Sequence, residues 1–421
     1  MSQKTTVFII GIFLAIIGGF FLAAFLISRE KEKPFVEALR DVSPFGEILP
    51  DRGIKLPLEG GETPGAGGGA GGVSAPSTPL PALWKISAEP VVSATTFLRD
   101  GTEYVRYILL DTGNVYEYGA TTTVKTRVTN TTAPGLKEVF WGVGGESLIA
   151  RYLNESNALK TYRVQVLAPD EGGTAVPGES SGRLVGIFLA DDIDEIAVSP
   201  DKTQYFSLVS KEATAVGTLT GFGTAVTSPP LAFTLPLTEW LPSWPEKNTL
   251  VFTTKSSARA EGFAYAFDVR QKTLKKILGG ISGLTVLPSP GGEKMLYSRG
   301  LSGTIDTFVF DIKTGASQKI PVTTLSEKCA WETSATLVYC AVPERLGAGE
   351  YPDDWYQGVA TFSDALWSID TKTNTPQRIA VPVRDAQEEI DATSLILSSD
   401  ESVLFFINKK DFSLWGLRLG S

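Results

Sequence analysis

Ser199-Pro200-Asp201-Lys202, Ser243-Trp244-Pro245-Glu246-Lys247 and Pro288-Ser289-Pro290-Gly291-Gly292-Glu293-Lys294 decide how this chain is read. Each is a tight polar turn, and each is followed by an apolar run, at 204–209, 249–254 and 294–298. Four further turns stand in the same relation to such a run: Arg99-Asp100-Gly101, Gly144-Gly145-Glu146, Glu332-Thr333-Ser334 and Ser399-Asp400-Glu401. Markers placed in these seven turns are 41 to 67 residues apart. A unit of a little over 40 residues, repeated with insertions, has the period of a propeller blade.

Third strands follow the apolar runs in Tyr265-Ala266-Phe267-Asp268, Val309-Phe310-Asp311, Trp367-Ser368-Ile369-Asp370 and Leu414-Trp415-Gly416-Leu417. Fourth strands are expected at 273–278, 317–322 and 376–381. Aromatic and β-branched residues between polar turns suit four-stranded antiparallel sheets. The seventh unit stops after its third strand, near Leu419. The stretch at 82–87, Ala82-Leu83-Trp84-Lys85-Ile86-Ser87, supplies the missing fourth strand. Closing a ring this way removes exposed edges. The fold is therefore read as all-β, a seven-bladed propeller over 80–421.

The Ser-Pro-Asp-Lys, Ser-Trp-Pro-Glu-Lys and Ser-Pro-Gly-Gly-Glu-Lys turns resemble the WD-like repeats of TolB-type propellers. The resemblance covers about 80–421. It implies a propeller that acts as an interaction scaffold of the cell envelope. Such repeats also occur beside peptidase domains, and no hydrolase domain is recognisable here.

Upstream, 1–6 is a short tail and 7–27 is a run of 21 uncharged, mostly apolar residues. A helix of that length spans the roughly 30 Å hydrocarbon core of a bilayer. It is longer than the apolar region of a cleavable signal peptide, so it is read as an uncleaved single-pass anchor in the cytoplasmic membrane. Gly11, Ala15, Gly19 and Ala23 recur every four residues. That spacing makes a ridge of small side chains to which another helix, including a second copy, can pack. A Pro-punctuated juxtamembrane segment, 28–58, leads to a Gly/Pro/Ser-rich stretch, 59–79, whose composition is that of a flexible tether. Arg29, Lys31 and Lys33 flank the anchor on one side and Lys4 on the other. Counted alone, these charges keep the head in the cytoplasm. The other features favour display outside.

Cys329 and Cys340 are expected on neighbouring strands of blade 6. A disulfide and two buried free thiols both fit that placement, and a disulfide would favour an oxidising compartment.

Formal net charge is −9, and the first 40 residues carry five basic and three acidic side chains, leaving −11 for the rest. So acidic a head is a poor partner for nucleic acid, which needs clustered Lys and Arg. The chain has no histidine, which excludes Ser-His-Asp and Cys-His catalysis and His-ligated zinc. Two cysteines cannot make a four-Cys zinc site, and no calcium-loop spacing occurs. No catalytic residue, metal or cofactor is indicated.

Three acidic loops are expected on one rim. They hold Asp191, Asp192, Asp194 and Glu195; Asp385, Glu388, Glu389 and Asp391; and an insertion in blade 6, 343–364, with Glu350, Tyr351, Asp353, Asp354, Trp355 and Tyr356. Lys255, Arg259, Arg299, Lys409 and Lys410 lie on loops of the same rim. Trp and Tyr are frequent recognition anchors. Asp353, Asp354, Trp355 and Tyr356, with the other two loops, are therefore the expected surface for an envelope protein. The alternative is a glycan-binding or glycan-hydrolysing propeller, in which paired carboxylates would face one another.

Overall fold

The computed structural model describes residues 82–167, 182–223 and 231–420. The expected tail, anchor, small-residue ridge (Gly11, Ala15, Gly19, Ala23), juxtamembrane segment and tether lie outside the described residues. Among the described residues, no helix is long and apolar enough to cross a membrane.

The described residues form seven four-stranded antiparallel sheets arranged as a seven-bladed β-propeller. Blade 1 contains β2 (Val91–Arg99), β3 (Thr102–Leu109), β4 (Val115–Gly119) and β5 (Lys125–Arg127). Blade 2 contains β6 (Leu136–Trp141), β7 (Ser147–Leu153), β8 (Leu159–Leu167) and β9 (Arg183–Phe188). Blade 3 contains β10 (Glu195–Val198), β11 (Gln204–Lys211), β12 (Thr214–Gly221) and β13 (Leu231–Pro236). Blade 4 contains β14 (Trp240–Glu246), β15 (Thr249–Thr254), β16 (Glu261–Asp268) and β17 (Thr273–Ser282). Blade 5 contains β18 (Thr285–Pro288), β19 (Lys294–Leu301), β20 (Thr304–Asp311) and β21 (Ser317–Lys319). Blade 6 contains β22 (Cys329–Trp331), β23 (Leu337–Pro343), β24 (Asp364–Asp370) and β25 (Thr375–Ala380). Blade 7 contains β26 (Ala392–Leu397), β27 (Val403–Asn408) and β28 (Leu414–Arg418), and its fourth strand is β1 (Leu83–Ser87).

β1 pairs antiparallel with β28, with Leu83 opposite Leu417 and Trp84 opposite Gly416. Its alternation serves two interfaces. Trp84 and Ile86 join the core shared with blade 1, and Leu83 joins the core shared with blade 6. β27 shows why second strands are the most apolar. Val403, Phe405 and Ile407 face blade 1, Leu404 and Phe406 face blade 6, and all five are buried. A strand covered on both faces reads as a continuous apolar run.

The turns between first and second strands share one frame. In five of them, a backbone N–H and C=O five residues apart close the turn, as in Ser199 N to Gln204 O, 2.9 Å, and Ser398 N to Val403 O, 2.8 Å. The fourth residue has a positive φ: Gly145, Lys202, Gly292, Ala335 and Glu401. Glycine takes that conformation without cost, whereas Lys202 and Glu401 need help. The help comes from the Ser and Asp. Asp201 Oδ1 accepts from Ser199 Oγ and Thr203 N, and Ser199 Oγ accepts from Gln204 N. Ser398 and Asp400 repeat this with Ser402 and Val403. At the next turn, Asp268, Asp311 and Asp370 each accept backbone N–H groups two or three residues on. That is the local bond through which Asp favours turns.

Cys329 and Cys340 face each other across β22 and β23 and are joined by a disulfide, with Cα atoms 4.1 Å apart.

Two outcomes are expected. A polypeptide starting at residue 91, and so lacking β1, melts lower and aggregates more than one starting at residue 80; equal melting curves and solubility would mean the ring does not need this strand. Changing Cys329 and Cys340 together to Ser opens a link 11 residues apart. The expected loss, read from the urea midpoint, is about 2–3 kcal/mol.

Candidate functional site

The propeller has two ends. One carries the loops from second to third strands and from blade to blade; the other carries the turns just described.

At the loop end lies the blade 6 insertion, 344–363. Its one helical turn, α1 (Asp353–Tyr356), presents Trp355 inward, where it is 4% exposed. Beneath it is a buried charge cluster. Lys328, at the end of the 3-10 turn Ser326–Lys328, has its ammonium bonded to Asp391 and 2.9 Å from Asp364 Oδ2. All three side chains are fully buried. Trp355 Nε1 donates to both carboxylate oxygens of Asp391 at 3.1 Å, and Phe362 N donates to Oδ2 at 3.0 Å. Burial, with the Asp391 charge beside it, pushes the Asp364 carboxyl up to about 6 against the pull of Lys328.

The insertion also reaches its neighbours. Asp353 Oδ2 accepts from Ala258 N of blade 4 at 2.7 Å, and Gly303 N of blade 5 donates to Gly349 O at 2.7 Å. Lys409 of blade 7 donates to Trp355 O at 2.5 Å. At Gly300 a Cβ would lie 1.8 Å from Tyr351 O, so the crossing over blade 5 requires glycine there. The insertion is thus a clamp spanning blades 4 to 7.

For Trp355 this corrects the expectation of a side chain presented on a recognition surface. Trp355 is not presented to a partner, because its indole is committed to Asp391. Asp354 Oδ2 is held by Glu350 N, 2.8 Å. Asp191 pairs with Lys160 at 2.7 Å, Glu388 with Lys85 at 2.6 Å and Glu389 with Lys410 at 2.7 Å. Asp194 Oδ2 accepts from Ser210 N at 2.6 Å, and Asp192 is exposed. Tyr356 remains 41% exposed, with its hydroxyl donating to Glu327 at 2.7 Å. Most of these acids are thus engaged within the fold, some in ion pairs and some by backbone N–H groups.

At the turn end a cavity of about 870 Å³ lies on the axis, lined by first-strand residues of all seven blades. Its apolar lining includes Trp141, Trp244, Trp331, Pro200, Pro245 and Pro288. Two indoles lean on the preceding blade. Trp141 Nε1 donates to Ser93 Oγ and Trp331 Nε1 to Leu287 O, each at 3.1 Å. Of the charged residues, Lys202 and Glu401 line the cavity. Lys202 Nζ donates to Thr95 Oγ1 at 2.7 Å, and burial lowers its pKa although the Glu103 charge opposes this. Glu103 is buried, takes Ser399 N at 2.8 Å, and is raised by burial. Glu401 Oε1 accepts from Thr333 N at 2.6 Å. The cavity has no contiguous motif in the sequence, because its lining comes from seven separate blades. Its signal was the Trp or Pro immediately before or within several of the turns.

No family model and no curated protein matches the sequence. Solved structures resemble it in fold. An oligogalacturonate lyase in complex with manganese is 11% identical, over 79% of this chain and 97% of that one, with a TM-score of 0.48. TolB from Acinetobacter baumannii is 13% identical, over 65% and 62%, with a TM-score of 0.40. The Cps50 (Swd1) β-propeller domain of Myceliophteria thermophila is 12% identical, over 80% and 100%, with a TM-score of 0.46. At these identities the likeness concerns the fold alone.

Trp355→Ala is expected to cost about 3–5 kcal/mol, as for loss of a buried Trp, whereas Tyr356→Ala costs little; urea unfolding of both variants checks this. Asp364 binds its proton more tightly folded than unfolded, so its contribution to stability is present in acid and lost as pH rises through about 6. The stability difference between pH 5 and pH 7 should shrink in Asp364→Asn.

Proposed function

We propose that this chain is a non-catalytic interaction scaffold of the cell envelope, whose axial cavity receives an extended segment of a partner protein. The observation that carries the reading is the cavity lining. All seven blades contribute to it, and its walls are Trp, Pro and Leu with hydroxyl groups between them. Aromatic-lined grooves suit extended, proline-containing segments, whose conformation is set before binding. Glycan hydrolysis by paired carboxylates finds less support here. Among the lining residues Glu401 is the one carboxylate, and it is already bonded to Thr333 N.

The reading includes placement: 7–27 anchors the chain in the cytoplasmic membrane, 59–79 tethers the head, and the head lies outside. The Cys329–Cys340 bond supports an oxidising compartment.

Photo-crosslinking in cells tests the binding face. A crosslinking side chain at Thr333, on the cavity, is expected to trap a protein adduct that one at Val359, on the clamp, does not. Adducts from Val359 alone would move the interface to the loop end, and adducts from neither would remove the scaffold reading. Protease added to intact cells is expected to release a propeller-sized fragment; a fragment protected until lysis would place the head in the cytoplasm.

A further inference from the structure

The seven turns around the cavity mouth each carry a carboxylate: Asp100, Glu146, Asp201, Glu246, Glu293, Glu332 and Asp400, with Glu401 beside the last. Among the described residues, none of the eight is in an ion pair; the ion-paired acids lie elsewhere. Those that are bonded accept from neutral donors. Glu246 takes Asn248 N, Glu332 takes Leu337 N, and Asp201 and Asp400 take backbone and hydroxyl groups of their own turns. Such bonds keep Asp201 below the usual carboxylate range, and the Ser398 and Ser402 bonds do the same for Asp400 against its burial. Asp201 and Asp400 therefore stay ionised.

The bases on the same turns are fewer: Arg99, Lys202, Lys247 and Lys294. Three have bonds within the fold, and of these only Arg99 is bonded to a carboxylate. Lys202 is bonded to Thr95, Lys294 to Ala335 O and Thr371, and Arg99 to Glu117 of blade 1. The mouth is thus an apolar cavity inside a ring in which eight carboxylates outnumber four cations, one of which, Arg99, is already paired with Glu117.

We infer that the segment entering the cavity is basic: an apolar or proline-containing stretch of a partner protein with Lys or Arg beside it, the apolar part against Trp141, Trp244 and Trp331 and the cations on the ring. This rests on the scaffold reading above and adds the partner's chemistry. Charge complementarity of this kind steers encounter and selects among partners, and it weakens with salt.

The probe is a phage-displayed library of random linear peptides, selected on the soluble head from residue 80 once its melting curve shows a folded ring. Three baits are compared: wild type, Glu146→Lys/Glu293→Lys, and Thr333→Trp, which fills the mouth. Glu146 and Glu293 are exposed, so their reversal leaves the ring intact. Peptides selected on wild type are expected to join Lys or Arg to apolar residues or Pro. They should bind the charge-reversed bait about tenfold more weakly, the order that two exposed ion pairs supply. No enrichment of Lys and Arg, or equal binding to the charge-reversed bait, overturns the inference. If peptides lack basic residues yet fail on Thr333→Trp, the charge inference falls and the cavity reading stands. If Thr333→Trp binds the same peptides equally well, the cavity reading itself falls.

Discussion

The pairing of β1 with β28 is the constraint on which the rest depends. Each blade buries both faces of its second strand against its neighbours, so an open ring would leave one blade half-covered. The molecule solves this by placing the first described strand in the last blade. Trp84 and Ile86 then complete the core toward blade 1, while Leu83 completes the core toward blade 6. The axial cavity, whose wall passes through all seven blades, exists only because this seam is shut.

The two ends of the ring use charge in opposite ways. At the loop end, carboxylates are consumed by the fold: Asp391 and Asp364 hold Lys328, and Asp391 also holds the clamp through Trp355. Removing one member of such a buried group is costly because it strands the others. At the turn end, Asp201 and Asp400 cap their turns through neutral donors and stay ionised. The same residue type serves rigidity at one end and a field at the other.

The blades are legible in the sequence because their signals are local. Ser199 and Asp201 hold the positive φ of Lys202 through bonds within six residues, so the turn is written in its own letters. The apolar runs of the second strands mark burial on both faces. The closing strand is legible from the shortfall of the last unit. The insertion is different. Asp353-Asp354-Trp355-Tyr356 looks like a surface motif, yet the partners that draw Trp355 inward are Asp391 and Lys328, 36 and 27 residues away in sequence. A contact of that kind has no local signature. The cavity was hidden for a related reason: Trp141, Trp244 and Trp331 become neighbours only when the ring closes.

The strand that closes the ring is also the point where the chain enters it. Ala82 O accepts from Arg418 N at 2.7 Å, at the turn end, immediately before Leu83. Tension arriving through the preceding residues meets Leu83 and Leu417 first and then passes along the strand one pair at a time. A pull on any other blade is shared among strands hairpinned to one another in sequence. The molecule therefore has a direction of mechanical weakness, and it lies along the line by which its own chain enters the ring.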